Sequence, residues 1–248
     1  MKNKNSFSPY VRGARLYPAL LTLLPIAVTF LALLGNRISL LISVFTFVSF
    51  FGITYLLTIL TRSLGKARES DLFQTWGGRP TTIILRHTDS TIDSISKKRY
   101  HKFLSKAIGI SMPTKQIEER DQTKADQIYG SAIIWLVENT RDYRKGAILL
   151  EENTAYGFHR NLLGLNKIGF WLATSSFVIS AGGILIAQVQ KNSILSKDSI
   201  PLLITSSLVS IVFSFFWRYW VSTENIRKQA YIYAIQLLKL CDALLKKK

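Results

Sequence analysis

Acidic residues and cysteines are scarce in this chain, and each shortage limits what the protein can be. The 248 residues include 15 Asp and Glu against 32 Lys and Arg, so the formal net charge is +17. Most of the acidic residues lie in the middle of the chain, where Lys and Arg still outnumber them. The single cysteine, Cys241, excludes an intramolecular disulfide and a cysteine-based metal cluster, and it suits a reducing compartment.

Charged side chains are absent from the interior of four long apolar stretches. These stretches are Tyr17–Gly35, Ile38–Leu60, Ile168–Ala187 and Pro201–Trp217. Each is close to the roughly 20 residues that a helix needs to cross a hydrocarbon core of about 30 Å. A soluble protein of this length would spread its apolar residues over amphipathic elements instead. The sequence therefore predicts four transmembrane helices, paired as two hairpins.

Basic residues near the ends of the apolar stretches predict the orientation of the helices. Lys and Arg are frequent on the sides that face the termini and the middle region, whereas the two hairpin tips carry few. Because cytoplasmic loops are enriched in Lys and Arg, both termini and the middle region are predicted to be cytoplasmic. Five aromatic residues are placed to meet the inner headgroups: Tyr17, Trp171, Trp217, Tyr219 and Trp220. We expect a multi-pass protein of the bacterial inner (plasma) membrane.

The apolar stretches divide the chain into five predicted segments. They are a cytoplasmic N-terminus (1–16), a first transmembrane hairpin (17–60), a cytoplasmic, mostly helical domain (61–167), a second transmembrane hairpin (168–217) and a cytoplasmic amphipathic C-terminal helix (218–248). The predicted fold class is therefore an all-α membrane protein with a domain inserted between two hairpins. A core of that domain's size is marginal without support from the membrane or from partner chains.

The residue pattern of the middle domain predicts one short extended run and three helices. The extended run is expected at Thr81–Arg86. The first helix is expected to start near Thr88 or Ser90 and to end at Gly109, and the second to start near Thr123. The third, from about Tyr143, is expected to continue into the third transmembrane helix.

Apolar residues of the C-terminal segment repeat at heptad spacing. Six positions are separated by four, three, four, three and four residues: Ile226, Ala230, Tyr233, Leu237, Leu240 and Leu244. This rhythm is typical of a coiled coil, so all of them except Ala230 are candidates for an interface between copies of the chain. Packing against the middle domain or the membrane surface would produce the same spacing.

Two groups of basic residues are candidates for binding an anion or an anionic lipid. Arg79 follows Gly77-Gly78, where backbone amides and a guanidinium could hold a phosphate, although the segment lacks the Lys-Ser/Thr of a P-loop. The second group lies in the first predicted helix of the middle domain: Lys97, Lys98, Arg99, Lys102 and Lys106. These could bind anionic headgroups, at about 1 kcal/mol per basic residue, or the phosphates of a nucleic acid. A tight turn and a solvated helix face are the alternatives.

Hydroxyl side chains are frequent in the predicted transmembrane helices. Seven of them fall on one side of the second or the fourth helix: Ser39, Ser43, Thr46, Ser49, Ser207, Ser210 and Ser214. Small and hydroxylated residues favour close helix packing in lipid, and in an oligomer the same residues could line a water-filled path. The absence of charged residues at mid-membrane argues against a proton-coupled transporter.

No arrangement of residues typical of an enzyme stands out. Glu152 and His159 share a helix face, but one histidine and one carboxylate are too few for a metal site. Ion pairs along a helix near the membrane explain such residues as well. We therefore predict a protein that is not an enzyme and that uses neither a metal nor a cofactor.

Six short strings occur together in the middle domain and at the entry to the third apolar stretch. They are Trp76-Gly77-Gly78, Pro80-Thr81-Thr82, Arg99-Tyr100-His101, Glu152-Asn153, Tyr156-Gly157-Phe158 and Arg160-Asn161. Together they resemble a pattern in uncharacterised bacterial four-helix integral membrane proteins, a resemblance that transfers no catalytic residue. In layout alone the chain is also similar to membrane effectors of bacterial anti-phage systems, in which a cytoplasmic domain senses a signal and the helices disturb the membrane.

These features lead to one preferred function and one alternative. We expect a non-enzymatic, homo-oligomeric inner-membrane effector or channel-like protein with a cytoplasmic sensing domain, in the setting of anti-phage defence. Its expected partners are anionic headgroups of the bilayer, further copies of the chain, and a cytoplasmic protein or a nucleotide or nucleic-acid ligand. The alternative is a membrane anchor or scaffold that presents its basic domain to a partner protein or nucleic acid.

Overall fold

The computed structural model describes residues 8–34, 40–140, 147–189 and 199–245. Within these ranges the regular structure is helical throughout, and no strand occurs. The helices are α1 (Pro9–Leu34), α2 (Leu40–Thr75), α3 (Pro80–Ile83), α4 (Ser94–Ile108), α5 (Lys115–Arg120), α6 (Gln122–Asn139), α7 (Ala147–Val189), α8 (Ile200–Trp220) and α9 (Thr223–Leu245). The prediction of an all-α protein is confirmed for the part of the chain that the structure describes.

Four helices are long and apolar enough to cross a membrane. They are α1, α2, α7 and α8, and their apolar windows have mean hydropathies between 1.8 and 2.1. Both α2 and α7 extend beyond the apolar stretches, since α2 continues to Thr75 and α7 begins at Ala147. The prediction that one helix of the middle region continues into the third membrane-length helix is therefore confirmed.

The chain divides into two compact units, each built from two separate segments. Unit 1 comprises Met1–Arg68 and Gly157–Asn225, and unit 2 comprises Glu69–Tyr156 and Ile226–Lys248. The membrane-length apolar windows belong to unit 1, and the helices α3 to α6 belong to unit 2.

Close approach between helices is the main feature of unit 1. Helix α1 packs against α8, and an apolar cluster is formed by Ala19, Leu23, Leu57, Leu162, Leu165, Ala173, Trp217 and Val221. Gly65 of α2 and Gly164 of α7 bring two backbones together, because a Cβ added at Gly164 would lie 2.5 Å from the Gly65 nitrogen. Likewise Gly169 of α7 makes room for the ring of Trp217, with which an added Cβ would overlap. Small residues at helix crossings are how membrane helices gain packing contacts in lipid.

A conventional apolar core holds unit 2. Helix α6 packs against α3, α4 and α5, and α9 adds its apolar face to the same core. The fully buried side chains include Leu104 of α4, Leu136 of α6 and Leu237 of α9. The C-terminal helix α9 therefore belongs to the same compact unit as the middle of the chain.

Capping residues decide where the helices of unit 2 begin and end. Asp93 accepts hydrogen bonds from the amides of Ile95 and Ser96, so α4 starts at Ser94, later than predicted. Its end at Gly109 is confirmed, because that glycine adopts a left-handed conformation with φ of 70°. The extended run predicted at Thr81–Arg86 is wrong: Pro80 opens the helical turn α3, as proline favours a first helical position.

Candidate functional site

Unit 2 contains a pocket of about 280 Å³ that includes one of the predicted anion-binding residues, Arg79. Its lining residues are Glu69, Phe73, Arg79, Pro80, Thr81, Tyr156, Ala230 and Tyr233, and it is called here the Arg79 pocket. These residues come from the end of α2, the turn into α3, the start of α7 and the start of α9. Segments far apart in the sequence therefore assemble a single site.

The turn that carries Arg79 is the C-terminal cap of α2. Gly77 and Gly78 have φ of 78° and 143°, a region that glycine enters without steric cost. The Gly77 amide donates to the carbonyl of Gln74 at 3.1 Å, and the Gly78 amide donates to the carbonyl of Phe73 at 2.8 Å. These two amides already donate to carbonyls of the helix, so the Arg79 side chain is the remaining candidate for holding an anion. Anion binding at this turn stays a prediction.

Aromatic rings form much of the wall of the Arg79 pocket. Tyr156 and Tyr233 are stacked, with ring centroids 6.3 Å apart and planes inclined by 16°. The guanidinium carbon of Arg79 lies 5.8 Å from the ring centroid of Phe73, a cation–π contact. The Tyr156 hydroxyl donates to the Glu69 carboxylate at 2.6 Å. The pocket thus combines aromatic rings with a cation and a carboxylate that accepts from a tyrosine.

A partly buried ion pair positions the turn beside this pocket. Arg86 donates to both carboxylate oxygens of Asp126, from Nε at 2.9 Å and from Nη2 at 2.6 Å. Its Nη2 also donates to the carbonyl of Gly77 at 2.7 Å, two residues before Arg79. The hydrogen bond to Asp126 raises the pKa of Arg86, so the guanidinium is charged at every physiological pH. Asp126 therefore fixes Arg86, and Arg86 fixes the turn that presents Arg79.

Glu118 is the centre of a second polar network in unit 2. Its carboxylate is only 4% exposed and accepts from the His87 amide at 2.9 Å and from the Tyr129 hydroxyl at 2.8 Å. Burial on its own raises the pKa of Glu118, but these hydrogen bonds outweigh it and hold that pKa below its ordinary value. The network lies within the fold and connects the segment after α3 to α5 and α6.

The basic residues of α4 have three different environments. Lys97 is buried and donates to the carbonyls of Arg86 and Asp89, so its ammonium is bonded within the fold. Its binding of an external anion or lipid stays a prediction. Burial lowers its pKa. Arg99 makes a bidentate pair with Asp242, at 2.6 and 3.0 Å. The other three are exposed along one face of the helix: Lys98, Lys102 and Lys106.

The hydroxyl residues predicted on two membrane-length helices are not on a common surface. On α2, Ser43, Thr46 and Ser49 line an apolar groove of about 550 Å³ that α1 also borders. On α8, Ser207 and Ser210 are buried, and Ser214 donates to the carbonyl of Ser210 at 2.9 Å. Ser39, also predicted, lies outside the described residues. Whether any of them lines a water-filled path stays a prediction.

A different set of hydroxyls links three helices in unit 1. Ser206 of α8 lies 2.8 Å from the hydroxyl of Thr29 of α1 and 2.8 Å from that of Ser180 of α7. Thr29 and Ser180 are 3.3 Å apart, which closes a triangle, and all three side chains are at most 1% exposed. None of these three residues is among the seven hydroxyl candidates predicted from the sequence. Ser206 directly precedes the predicted Ser207 in the sequence, and this position is the signal from which Ser206 could have been predicted.

The heptad positions of the tail are used within unit 2. Leu237 is fully buried in the core, Leu240 and Leu244 are half-buried, and Tyr233 lines the Arg79 pocket. Ile226 is also buried. Packing within the chain, the alternative named for this spacing, therefore accounts for these positions. An interface between copies of the chain stays a prediction.

The histidines of unit 2 form hydrogen bonds with backbone carbonyls within the unit. His87 Nε2 lies 2.9 Å from the carbonyl of Pro113, and His101 Nε2 lies 2.8 Å from that of Leu85. Among the residues described, no group of three or more His, Cys, Asp or Glu is placed to hold a metal ion. Glu152 accepts from Gln229 rather than sharing a ligand with His159.

The chain matches no protein-family model, no curated protein and no solved structure.

Proposed function

We propose that this chain is a non-enzymatic membrane effector with channel-like helices, whose unit 2 senses a small ligand in the Arg79 pocket. The observation that carries the proposal is that the membrane-length helices and the pocket belong to different units. Unit 1 holds the apolar windows of membrane length, whereas unit 2 holds a pocket with a cation, a carboxylate and aromatic rings. Pockets with a few polar groups on an apolar wall are typical of small-molecule sites.

Three hydroxyls in the apolar groove of unit 1 support an output at the membrane. Ser43, Thr46 and Ser49 face a space that α1 and α2 share, and hydroxyls are suited to hydrating a path through an oligomer. The proposal takes the protein as a homo-oligomer in the bacterial inner membrane, with unit 2 in the cytoplasm. Anti-phage defence is the setting in which such a layout is used, and it belongs to the proposal only as analogy.

Reconstitution of the full-length protein tests the effector function. Release of a trapped dye or potassium from liposomes would be measured together with the mass of the complex in nanodiscs. We expect an oligomer that permeabilises the liposomes. Thr46→Leu should change the rate of release, whereas Val48→Leu, on the exposed side of the same helix, should leave it unchanged. A monomer in several mild detergents that releases nothing would overturn the proposal.

An anchor or scaffold is the second candidate, favoured by one observation. Lys98, Lys102 and Lys106 stand exposed on one face of α4, at the spacing of successive turns. Reversing all three charges to Glu should abolish salt-dependent binding to a mixed-sequence oligonucleotide if this face presents a basic surface. The same reversal at Lys115, Arg120 and Lys124, which are also exposed in unit 2, is the matched control.

A further inference from the structure

The Arg79 pocket has features that narrow the chemistry of its ligand. Its volume of about 280 Å³ is at the lower end of the range of roughly 300–1,000 Å³ found for small-molecule sites. A single small molecule fits this space, and a strand of nucleic acid does not. The inference below rests on the proposal that this pocket is the sensing site.

The aromatic rings that line the pocket favour a ligand with a planar group. Tyr156 and Tyr233 stack on each other with nearly parallel planes, and both line the pocket, so a further aromatic ring can extend this stack. Inorganic phosphate, a sugar phosphate or a fatty acid would leave these rings unused. A nucleobase would use them, because stacking on aromatic side chains is the general way in which proteins hold unpaired bases.

The two charged residues of the pocket, Arg79 and Glu69, should bind different groups of the ligand because their charges are opposite. Arg79 is exposed at the pocket wall, where its guanidinium can bind a phosphate by paired hydrogen bonds, and the Thr81 side chain lines the same pocket. Glu69 only accepts hydrogen bonds when ionised, and its two oxygens can accept from several donors besides the Tyr156 hydroxyl, so the amino group of a base is the kind of ligand group that complements it.

We infer that the Arg79 pocket binds a nucleoside monophosphate, or a nucleotide unit of that size, with its base on the tyrosine pair, its phosphate at Arg79 and a base amino group towards Glu69. A nucleotide has these three features in one molecule of the right size. Bases that carry an amino group should bind more tightly than uracil, which lacks one.

Binding to the full-length protein in nanodiscs tests this inference. Isothermal titration would compare AMP, UMP, adenosine and inorganic phosphate. We expect AMP to bind more tightly than each of the other three. Arg79→Ala should weaken AMP binding by about 10- to 100-fold, as the loss of a charge-assisted hydrogen bond does, and should leave adenosine binding unchanged. Arg120→Ala, at an exposed arginine outside the pocket, should bind AMP like the wild type.

Two further variants examine the other contacts. Tyr233→Leu should weaken AMP and adenosine alike, by about 5- to 150-fold, because it removes stacking surface. Glu69→Gln should reduce the preference of AMP over UMP. Arg79 is exposed, so Arg79→Ala keeps the inference testable if Tyr233→Leu fails to fold.

The outcomes separate this inference from the proposed function. Equal binding of phosphate and AMP, or of adenosine and AMP, would overturn the nucleotide assignment. So would the absence of binding by either nucleotide while the liposomes are still permeabilised, and the effector function would then stand. Binding of AMP by a protein that neither oligomerises nor permeabilises liposomes would support the site and overturn the effector function.

Discussion

Glycines and hydroxyls bring the helices of unit 1 together, whereas carboxylates, arginines and a buried lysine organise unit 2 around its apolar core. The segment 1–68 contains no Asp or Glu at all, and the ion pairs Arg86–Asp126 and Arg99–Asp242 both lie in unit 2. In lipid an uncompensated charge costs several kcal/mol, while close backbone packing and shared hydroxyls cost little. In water the apolar core supplies stability, and buried charges can then fix the details of a site.

This difference also separates the two candidate activities. A charged network such as Asp126–Arg86–Gly77 positions one turn and hence Arg79, the ligand-binding residue of the proposed function. A hydroxyl triangle such as Thr29–Ser180–Ser206 connects three helices by short contacts between neutral groups. The proposed function therefore assigns recognition of a ligand to unit 2 and rearrangement in the membrane to unit 1. Perturbing one unit should leave the other intact.

The largest expected effect comes from removing the carboxylate at the centre of unit 2. Glu118→Ala leaves the His87 amide and the Tyr129 hydroxyl without their acceptor, and each buried orphan donor costs about 1–3 kcal/mol. We expect unit 2 to lose about 2–6 kcal/mol of stability. Hydrogen exchange of the full-length protein in nanodiscs would show this loss in the amides of α6.

The neighbouring residue provides the control for Glu118→Ala. Glu119 is exposed and reaches only Lys115, at 3.8 Å, so Glu119→Ala should change α6 by less than about 1 kcal/mol. Equal loss of protection in α8 of unit 1 would break the comparison, because it would show that the two units unfold together.

A smaller effect is expected from widening the closest helix approach in unit 1. The added methyl of Gly164→Ala would lie 2.5 Å from the nitrogen of Gly65, so α2 and α7 would have to separate. Overpacking of this kind costs about 1–3 kcal/mol. Thermal unfolding in detergent would detect it, and Gly182→Ala is the control because nothing lies within 4 Å of a Cβ there. An unchanged melting temperature for Gly164→Ala would contradict the account of unit 1.

The hydroxyl triangle should contribute less still. Thr29→Val keeps the shape of the side chain but removes its hydrogen bonds to Ser180 and Ser206. Hydrogen bonds between membrane helices contribute about 0.6 kcal/mol on average and at most about 1.7 kcal/mol. Thr205→Val is the matched control, since that exposed hydroxyl bonds only to the Pro201 carbonyl of its own helix. In the same unfolding assay Thr29→Val should lower the melting temperature more than Thr205→Val does. The opposite result would refute the role of the triangle.

Local sequence patterns predicted the parts of this fold that depend on local chemistry. The four membrane-length helices follow from uncharged apolar runs, and the end of α4 follows from one glycine that tolerates a positive φ. The start of α4 was predicted too early, near Thr88 or Ser90, because several residues of this segment are typical of helix N-termini and only Asp93 accepts from the first amides of the helix.

The candidate site depends on contacts that no local pattern contains. Arg79 was found because a cation beside two glycines is visible in the sequence, but Glu69, Tyr156 and Tyr233 come from separate helices. Lys97 looked like its neighbours, and only the fold shows that its ammonium bonds to two carbonyls of the preceding segment. The tail was ambiguous because a seven-residue rhythm suits both a coiled coil and a helix packed on its own domain.

The smallest expected effect is that of acid, which should destabilise unit 2 before unit 1 because Glu118 becomes protonated. The folded pKa of Glu118 lies below its ordinary value of 4.5, so its contribution to stability is present above pH 4.5 and is lost as the pH falls through the folded pKa. Part of this contribution should be gone at pH 4, because pH 4 lies below the ordinary value of 4.5 at which the carboxylate of the unfolded chain takes up a proton. Hydrogen exchange of α6 at pH 6 and pH 4, corrected for the intrinsic rate, would measure the loss, and Glu118→Gln should show a smaller difference between the two values. If wild type and Glu118→Gln responded equally, another acidic group would control the acid sensitivity of unit 2, and Glu118 would be important for its shape and not for its charge.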